Sequence, residues 1–325
     1  MSNIKELLNA FHGVSDCHCG SIPWSVSFAG LQHDRHVLFS GIVHGNETGS
    51  LPSLVRLAMS LSDGSVKYGG RVTIVLGNVP ACQVNKRFLE ADLNRVFTEP
   101  SLQTAEGNRA QEMMRVIRAA DLFIDFHQTI APTERPFFVF PYNPTCYQWA
   151  RIAGGPKTLV MRHPTFVLPK GEVAADQFAR SCRIPAITLE LGQCGLSTLA
   201  KEFTWNACIR ILSAMDSIAN GETLATLVND IDEPDLELFE IQYSHLFESP
   251  SDKLNRGYQE FSFVESGVEL GESFGQPLVA PFSGYLIFPR YPERNANGDV
   301  TGPIPGELFS LARRVTHDPN SMEID

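Results

Sequence analysis

The chain has 325 residues, of which 43% are hydrophobic and 19% charged, and its formal net charge is −11 at pH 7. This composition is typical of a folded globular protein, and the length allows about two domains. Because the excess acid is not offset by any basic block, nucleic acid and anionic membrane surfaces are disfavoured as main partners.

The sequence also predicts a cytoplasmic protein without a membrane segment. Residues 1–10 contain no basic stretch followed by an apolar one, and no run of about eighteen apolar residues occurs. The seven cysteines are widely spaced and odd in number, which fits reduced thiols better than a disulfide framework. These features do not fix the oligomeric state, and a homo-oligomer is compatible with them.

The hydrophobic pattern predicts strands that alternate with helices. In chain order they are a helix at 2–11, strands at 24–29 and 36–43, a helix at 51–61, a strand at 71–78, a helix at 104–119, strands at 121–127 and 137–140, a helix at 147–153, a strand at 158–161, a helix at 173–182, a strand at 186–191 and a helix at 197–219. Several strands are apolar throughout, which indicates a sheet covered on both faces. The predicted fold class is therefore α/β, with a mostly parallel sheet covered by helices.

The pattern changes after Gly221. Residues 229–235 form an acidic connection that contains proline, and helical periodicity is lost beyond it. Residues 261–268 and 281–289 have the pattern of short strands punctuated by glycine and proline. We therefore predict two domains, 1–229 and a smaller β-rich C-terminal domain at 230–325.

His44 and Glu47 occupy the predicted turn between strand 36–43 and helix 51–61. A histidine and a carboxylate three residues apart can supply two of the three protein ligands that a catalytic zinc commonly takes. The motif alone is a weak signal, because His245 and Glu248 repeat it in a region where we expect no metal.

A third candidate ligand, His127, lies at the end of strand 121–127. In open α/β sheets ligands bind beyond the carboxyl ends of the strands, where this residue would lie. Asp125 projects to the same side and could orient a ligand imidazole. The alternative is a histidine at a strand end that ordinary hydrogen bonds satisfy.

Glu190 is a single carboxylate within the apolar strand 186–191. Burying a carboxylate is costly unless it is paired or functional. Close to a metal-activated water it could accept a proton as a general base. The alternative is a structural glutamate held in an ion pair.

The segment 85–97 is too rich in polar and basic residues for a core element. Arg87 and Arg95 could bind an anion, because the guanidinium stays charged and binds carboxylates with two hydrogen bonds. Their position between ligand-bearing segments favours a small, negatively charged substrate. For an isolated arginine, a solvated surface position is the alternative.

In this order, the motifs His44-Gly45-Asn46-Glu47, 87–97, Asp125-Phe126-His127 and Glu190-Leu191-Gly192 resemble the succinylglutamate desuccinylase/aspartoacylase family. The resemblance implies a zinc-carboxypeptidase-like catalytic domain at 1–229 followed by the smaller β domain. It also implies that His44, Glu47 and His127 hold one Zn²⁺ per chain. Glu190 would be the general base, and Arg87 would polarise the scissile carbonyl.

The resemblance further implies residues that bind substrate. Asn94 and Arg95 match positions that hold a substrate carboxylate, and Arg180 matches a substrate-binding arginine of the aspartoacylase branch. A tyrosine of the C-terminal domain closes the aspartoacylase site, and Tyr291 or Tyr285 could fill this role.

The predicted function is that of a zinc-dependent hydrolase that cleaves the linear amide C–N bond of a small, anionic N-acyl amino acid. The sequence Gln193-Cys194-Gly195 departs from both branches of the family, so the acyl group is not fixed. One alternative is a metallocarboxypeptidase acting on peptides, which an open groove would favour over a capped site. Another is a zinc-retaining binding protein without turnover, which would leave Glu190 unexplained.

Overall fold

The computed structural model describes residues 3–100, 102–133, 135–162, 171–301 and 304–316. The helices are α1 (Ile4–Ser15), α2 (Leu51–Ser62), α3 (Val79–Gln83), α4 (Ala105–Ile117), α5 (Pro144–Ala153), α6 (Ala175–Ser181), α7 (Thr198–Ala219) and α8 (Leu224–Asn229), with a 3-10 turn at Leu93–Arg95. The strands are β1 (Ser25–Ala29), β2 (His36–Gly41), β3 (Arg71–Leu76), β4 (Leu122–Thr129), β5 (Phe137–Val139), β6 (Thr158–Arg162), β7 (Ala186–Gln193), β8 (Glu237–Leu246), β9 (Lys253–Leu254), β10 (Phe263–Val264), β11 (Glu269–Ser273), β12 (Gln276–Val279), β13 (Gly284–Ile287) and β14 (Glu307–Val315).

One 11-stranded sheet runs in the order β1-β3-β2-β4-β7-β5-β6-β8-β14-β13-β10. Strands β3, β2, β4 and β7 are mutually parallel, as are β5, β6 and β8. The remaining pairs are antiparallel, and a separate 3-stranded antiparallel sheet has the order β12-β11-β9. The prediction of an α/β protein with a mostly parallel central sheet is confirmed.

The central strands are buried because helices cover both of their faces. Every residue of β2 and β4 is buried, which explains their unbroken apolar sequences. Alternate residues of β2 enter different cores, since Phe39 packs in the cluster with α2, α5 and α7, and Leu38 packs in the cluster with α4 and α6.

Local sequence signals set several helix starts. At α1, the Asn3 side chain accepts a hydrogen bond from the main chain, and the Glu6 carboxylate accepts one from the Asn3 backbone N–H, which completes a capping box. Thr104 and Ser197 cap α4 and α7 through their side-chain oxygens. Helix α3 was not predicted, because its 5 residues are too few to show helical periodicity.

The C-terminal region contains strands but no helix in its described part after α8, as the loss of helical periodicity predicts. Strand β8 pairs in parallel with β6, and β14 pairs with β8, so this region extends the same sheet. The division at residue 230 therefore stays a prediction. Among the described helices, none has both the length and the apolar character needed to cross a membrane.

Candidate active site

The predicted polar residues meet where β2, β4 and β7 end. His127 and Glu190 are direct partners across β4 and β7. Gly41, the last residue of β2, pairs with Phe126 of β4, so the chain leaves β2 beside His127. Parallel strands therefore bring residues that are distant in sequence to one edge of the sheet.

His44, Glu47 and His127 form a buried group that we call the ligand trio. Nδ1 of His44 lies 2.8 Å from Oε1 of Glu47, and Nδ1 of His127 lies 2.9 Å from Oε2 of the same carboxylate. The two Nδ1 atoms are 3.3 Å apart. All three predicted ligands thus direct a donor atom to one point, within 4.8 Å of one another.

Each outer imidazole nitrogen faces a second carboxylate. Nε2 of His44 lies 2.9 Å from Asp92, and Nε2 of His127 lies 2.8 Å from Asp125. At His127 this acceptor favours a proton on Nε2 and leaves the Nδ1 lone pair for the centre of the trio, whereas Nε2 of His44 also lies 2.8 Å from Nη2 of Arg87. The sequence indicated this role for Asp125 but assigned none to Asp92.

The trio has the donor set and surroundings that a divalent cation requires. Two imidazole lone pairs and a carboxylate repel one another at these distances unless positive charge lies between them. Two histidines and a glutamate are also a common catalytic zinc set. The residues present therefore fit a divalent metal ion.

The turn that carries His44 and Glu47 has a tightly constrained backbone. Ile42 has a φ of 48°, which is rare for a β-branched residue and ends β2 two residues earlier than predicted. A side chain on Gly45 would place its Cβ 2.3 Å from the Cys82 backbone nitrogen. Only glycine therefore fits at position 45 without moving the neighbouring main chain.

Arg87 reaches the trio from the segment after α3. Its Nη1 donates to Glu47 over 2.9 Å, and its Nε donates to Asp92 over 3.2 Å. Burial by itself would lower the pKa of Arg87. The negative charges of Asp92 and Glu47 outweigh that effect and raise the pKa above its usual value, so the guanidinium stays charged. The backbone N–H of Gly45 also donates to the Arg87 carbonyl over 2.9 Å, which fixes the two segments together.

A buried carboxylate, Glu106, shapes the segment that follows Arg87. It accepts hydrogen bonds from the backbone N–H groups of residues 89–91 and from the Asn78 side chain. Burial raises the pKa of Glu106, and these hydrogen bonds outweigh that effect and lower it. The polar density of 85–97 thus has a structural cause in addition to any role in binding.

Glu190 lies beside the trio with a pKa raised to about 7, first by burial and next by the negative charge of Glu47. Its Oε2 is buried and has no hydrogen-bond partner among the described residues. No ion pair of the described chain includes Glu190, so the structural alternative of a salt-bridged glutamate gains no support. A carboxylate with a pKa near neutrality can both accept and return a proton.

Asn94 and Arg95 follow Asp92 in the 3-10 turn, close to the start of α6. The Asn94 Oδ1 accepts a hydrogen bond from the Ala175 N–H over 2.9 Å. The Arg95 Nε lies 3.1 Å from the Glu172 carboxylate.

Within the described chain, Arg180 forms no hydrogen bond or ion pair with the trio, and its substrate-binding role stays a prediction. Its guanidinium pairs with Asp176 over 2.7 Å, in the last turn of α6. Because α6 leads directly into β7, this turn lies beside the start of the strand, whereas Glu190 lies toward its end. The spacing of ten residues between Arg180 and Glu190 does not tell which end of β7 each residue is near.

The two candidate tyrosines have partners within the C-terminal region. The Tyr291 hydroxyl accepts a hydrogen bond from the Tyr258 N–H over 3.0 Å and lies 3.1 Å from the Tyr258 carbonyl oxygen. Tyr285 packs its ring against Phe239 and Phe263. Among the described residues, neither hydroxyl contacts His44, Glu47 or His127. The closing role of Tyr291 stays a prediction.

Gln128 is a site residue that the sequence did not indicate. Its backbone N–H donates to Glu47 over 3.0 Å, and its side-chain oxygen accepts from the Gly49 and Gly195 N–H groups. Its amide nitrogen donates to the Gln193 carbonyl. One side chain therefore joins the loops after β2 and β7. The only available signal was its position next to His127.

Several known proteins resemble this chain in sequence. The family model described as "Succinylglutamate desuccinylase/Aspartoacylase catalytic domain" matches residues 33–213. The succinylglutamate desuccinylase of Burkholderia orbicola is 30% identical over 221 residues, which is 61% of this chain and 62% of that protein. That of Burkholderia lata is 32% identical over 178 residues, or 48% of each. The chain thus spans less than two thirds of these curated relatives.

Solved structures share the fold at low sequence identity. Succinylglutamate desuccinylase from Vibrio parahaemolyticus has a TM-score of 0.69 at 16% identity and covers 90% of this chain and 86% of its own. The product-bound ectoine utilization protein of Ruegeria pomeroyi has a TM-score of 0.63 at 20% identity, covering 89% and 88%. Murine aminoacylase 3 has a TM-score of 0.57 at 20% identity, covering 86% and 95%. At such identities the likeness establishes the fold alone.

Proposed function

Since this chain belongs to the succinylglutamate desuccinylase/aspartoacylase family, we propose that it is a metal-dependent amidohydrolase that removes the acyl group from a small N-acyl amino acid. The observation that carries this proposal is the buried ligand trio with Glu190 beside it. The names of the relatives, which include desuccinylases and an aminoacylase, support the same reaction class.

The proposal extends to the metal, the domains and the compartment. One Zn²⁺ per chain would be held by His44, Glu47 and His127. Residues 1–229 would be a zinc-carboxypeptidase-like catalytic domain, and 230–325 a β-rich domain that limits the size of the substrate. Reduced, widely spaced cysteines support a cytoplasmic location.

The cation would supply positive charge that acidifies a water molecule and polarises the scissile carbonyl. Glu190 accepts the proton of the attacking water, and the resulting hydroxide forms a bond to the amide carbonyl carbon. Negative charge then develops on the carbonyl oxygen, where the Arg87 guanidinium stabilises it. Glu190 returns the proton to the nitrogen as the C–N bond breaks, which releases the acyl group as a carboxylate and the amino acid as an amine.

The test is a hydrolysis screen of N-succinyl, N-acetyl and N-formyl derivatives of glutamate, aspartate, arginine and neutral amino acids, with and without added zinc. We expect zinc-dependent release of free amine from at least one derivative, and little release from peptides with a free C-terminus. Peptide cleavage at a higher kcat/KM would instead identify a carboxypeptidase. Tight binding of acyl amino acids without release of product would identify a binding protein.

A further inference from the structure

We propose that Arg290, which belongs to the C-terminal region, is a substrate-binding residue that receives a carboxylate of the acyl amino acid. The proposal deepens and rests on the deacylase function proposed above. It concerns an arginine that the sequence motifs do not include. Four observations on its position, charge environment, free donors and accessibility support it.

The segment that carries Arg290 is fixed over the end of β7. The backbone N–H of Phe288 donates to the buried carboxylate of Glu260 over 2.8 Å, and the Phe288 ring packs on Phe137 with centroids 5.8 Å apart. Phe137 is in turn the β5 partner of Glu190. The backbone N–H of Arg290 donates to the Leu308 carbonyl over 2.8 Å, which holds the segment from the other side.

The charge of the Arg290 guanidinium interacts with charged groups of the candidate active site. Burial lowers the pKa of Arg290 first, and the positive charge of Arg87 lowers it next, while Glu260, Glu190 and Glu47 oppose both effects. Arg290 in turn helps to lower the pKa of Glu190. The C-terminal region therefore contributes a positive charge close to the proposed base and to the trio.

Among the described residues, the side-chain donors of Arg290 have no partner, in contrast to those of the arginines predicted for the site. Arg87 binds Glu47, Arg95 binds Glu172, and Arg180 binds Asp176. Within the described ranges, the Arg290 side chain donates no hydrogen bond and forms no ion pair. A guanidinium has five N–H donors, and leaving them unpaired below the surface is costly. Such a group is suited to a ligand that supplies acceptors.

The chemistry of that ligand follows from the guanidinium. A planar fork of N–H groups matches the two oxygens of a carboxylate. Arg290 is partly accessible, so a small molecule can reach it although it lies deep in the protein. The side chain is also supported on the Phe288 ring, with the guanidinium carbon 5.6 Å from the ring centroid. An N-acyl amino acid offers two such groups, its α-carboxylate and, in a succinyl substrate, the terminal carboxylate of the acyl chain.

The experiment compares Arg290→Gln and Arg290→Lys with a matched control, Arg256→Gln. Arg256 lies in the same region, is exposed and forms no ion pair within the described ranges. Four substrates separate the two carboxylates: N-acetyl and N-succinyl derivatives of one amino acid, each as the free acid and as the α-amide.

We expect Arg290→Gln to raise KM by roughly 10-fold to 100-fold for substrates that carry the bound carboxylate, as is typical when a charged hydrogen bond is lost. Substrates that lack it should change less than about threefold, and Arg290→Lys should recover part of the loss because charge remains but the fork does not. A loss confined to N-succinyl substrates assigns the acyl carboxylate, and a loss confined to free acids assigns the α-carboxylate. An equal loss on all four substrates, or none, overturns the proposal.

Calorimetric binding of succinate, with acetamide as the uncharged reference, gives a readout that does not require turnover. If the wild type hydrolyses no substrate but binds succinate through Arg290, the deacylase function fails and the carboxylate site stands. If hydrolysis is found and neither binding nor KM depends on Arg290, the deacylase function stands and this proposal fails. Should Arg290→Gln unfold, Arg290→Lys decides the outcome by the same comparison.

Discussion

Two His-x-x-Glu sequences in this chain have the same residues and entirely different surroundings. His44 and Glu47 are buried at the end of a central strand, where a third ligand from β4 faces them. His245 lies near the end of β8, stacked on Phe309 with its Nδ1 next to the Tyr243 hydroxyl, and Glu248 is exposed.

The comparison teaches that neighbouring strands, and not the motif, create the candidate metal site. Parallel pairing places His127 beside the first copy. There, a carboxylate lies next to Nε2 of each of the two histidines. At the second copy, β8 pairs antiparallel with β14, and the partner of His245 in the register is the aromatic Phe309. An aromatic ring offers no ligand to a cation of this kind.

The largest effect should come from removing a ligand of the first copy. We expect His44→Ala to lose bound zinc on gel filtration and to lose hydrolysis, because two remaining donors do not hold the cation. His245→Ala should retain one equivalent of zinc. Metal analysis by mass spectrometry checks both variants, and the assignment is wrong if His245→Ala loses the metal while folded or if His44→Ala keeps it.

Glu190→Gln separates the proposed base from the ligands. Turnover should fall by roughly 10² to 10⁴, the usual contribution of a general base, while bound zinc stays at the wild-type level. Glu248→Gln, at the second copy, should leave kcat unchanged. Steady-state kinetics together with metal content test this pair, and wild-type turnover in Glu190→Gln would refute the general-base role.

A smaller effect should follow from changing Asp125, the carboxylate that contacts Nε2 of His127. Asp125→Asn leaves the trio intact but weakens the acceptor at Nε2 of His127, so we expect zinc affinity to fall roughly 10-fold to 100-fold. Tyr243→Phe removes the corresponding partner of His245 and should not change zinc affinity. Competition with a chromophoric chelator measures both, and equal affinities would argue against the proposed tautomer.

The smallest effect concerns the stability of the fold and depends on Glu260, which is buried. Burial raises the pKa of Glu260 to about 8. A raised pKa means that the folded protein binds this proton more tightly than the unfolded chain. The resulting stabilisation is complete below the ordinary glutamate pKa and is lost as pH rises toward 8.

In Glu260→Gln this source of pH dependence is absent, and the amide oxygen can still accept from Phe288. The free energy of unfolding should therefore fall less between pH 5 and 8 in the variant, by on the order of a few kcal/mol. Urea unfolding at both pH values measures the difference. Glu248→Gln, an exposed counterpart, should follow the wild type, and parallel curves for Glu260→Gln and wild type would contradict the assignment.

Much of the catalytic half could be predicted from the sequence because strand alternation and strand ends are local properties. His127, Asp125 and Glu190 were found in this way, and the structure places them at the edge where the strands end. Arg180 was assigned from the family resemblance, and in the structure its guanidinium pairs with Asp176, so its substrate-binding role stays a prediction.

The C-terminal contribution could not be predicted by the same means. Short strands punctuated by glycine and proline give no register, so nothing in the hydrophobic pattern relates Arg290 to Glu190. The contact of Asp92 with His44 could not be predicted for another reason. The polar segment around Asp92 contains several carboxylates and guanidinium groups, and the sequence does not show which of them pair.

The shared sheet has a consequence for how molecules enter and leave. Because β8 is hydrogen-bonded to β6 and β14 to β8, the C-terminal strands and the strands that carry the trio belong to one continuous sheet. A clamshell motion between the two halves would have to break strand pairing. Under the proposed function, substrate would enter and product would leave by rearrangement of loops and not by separation of two halves.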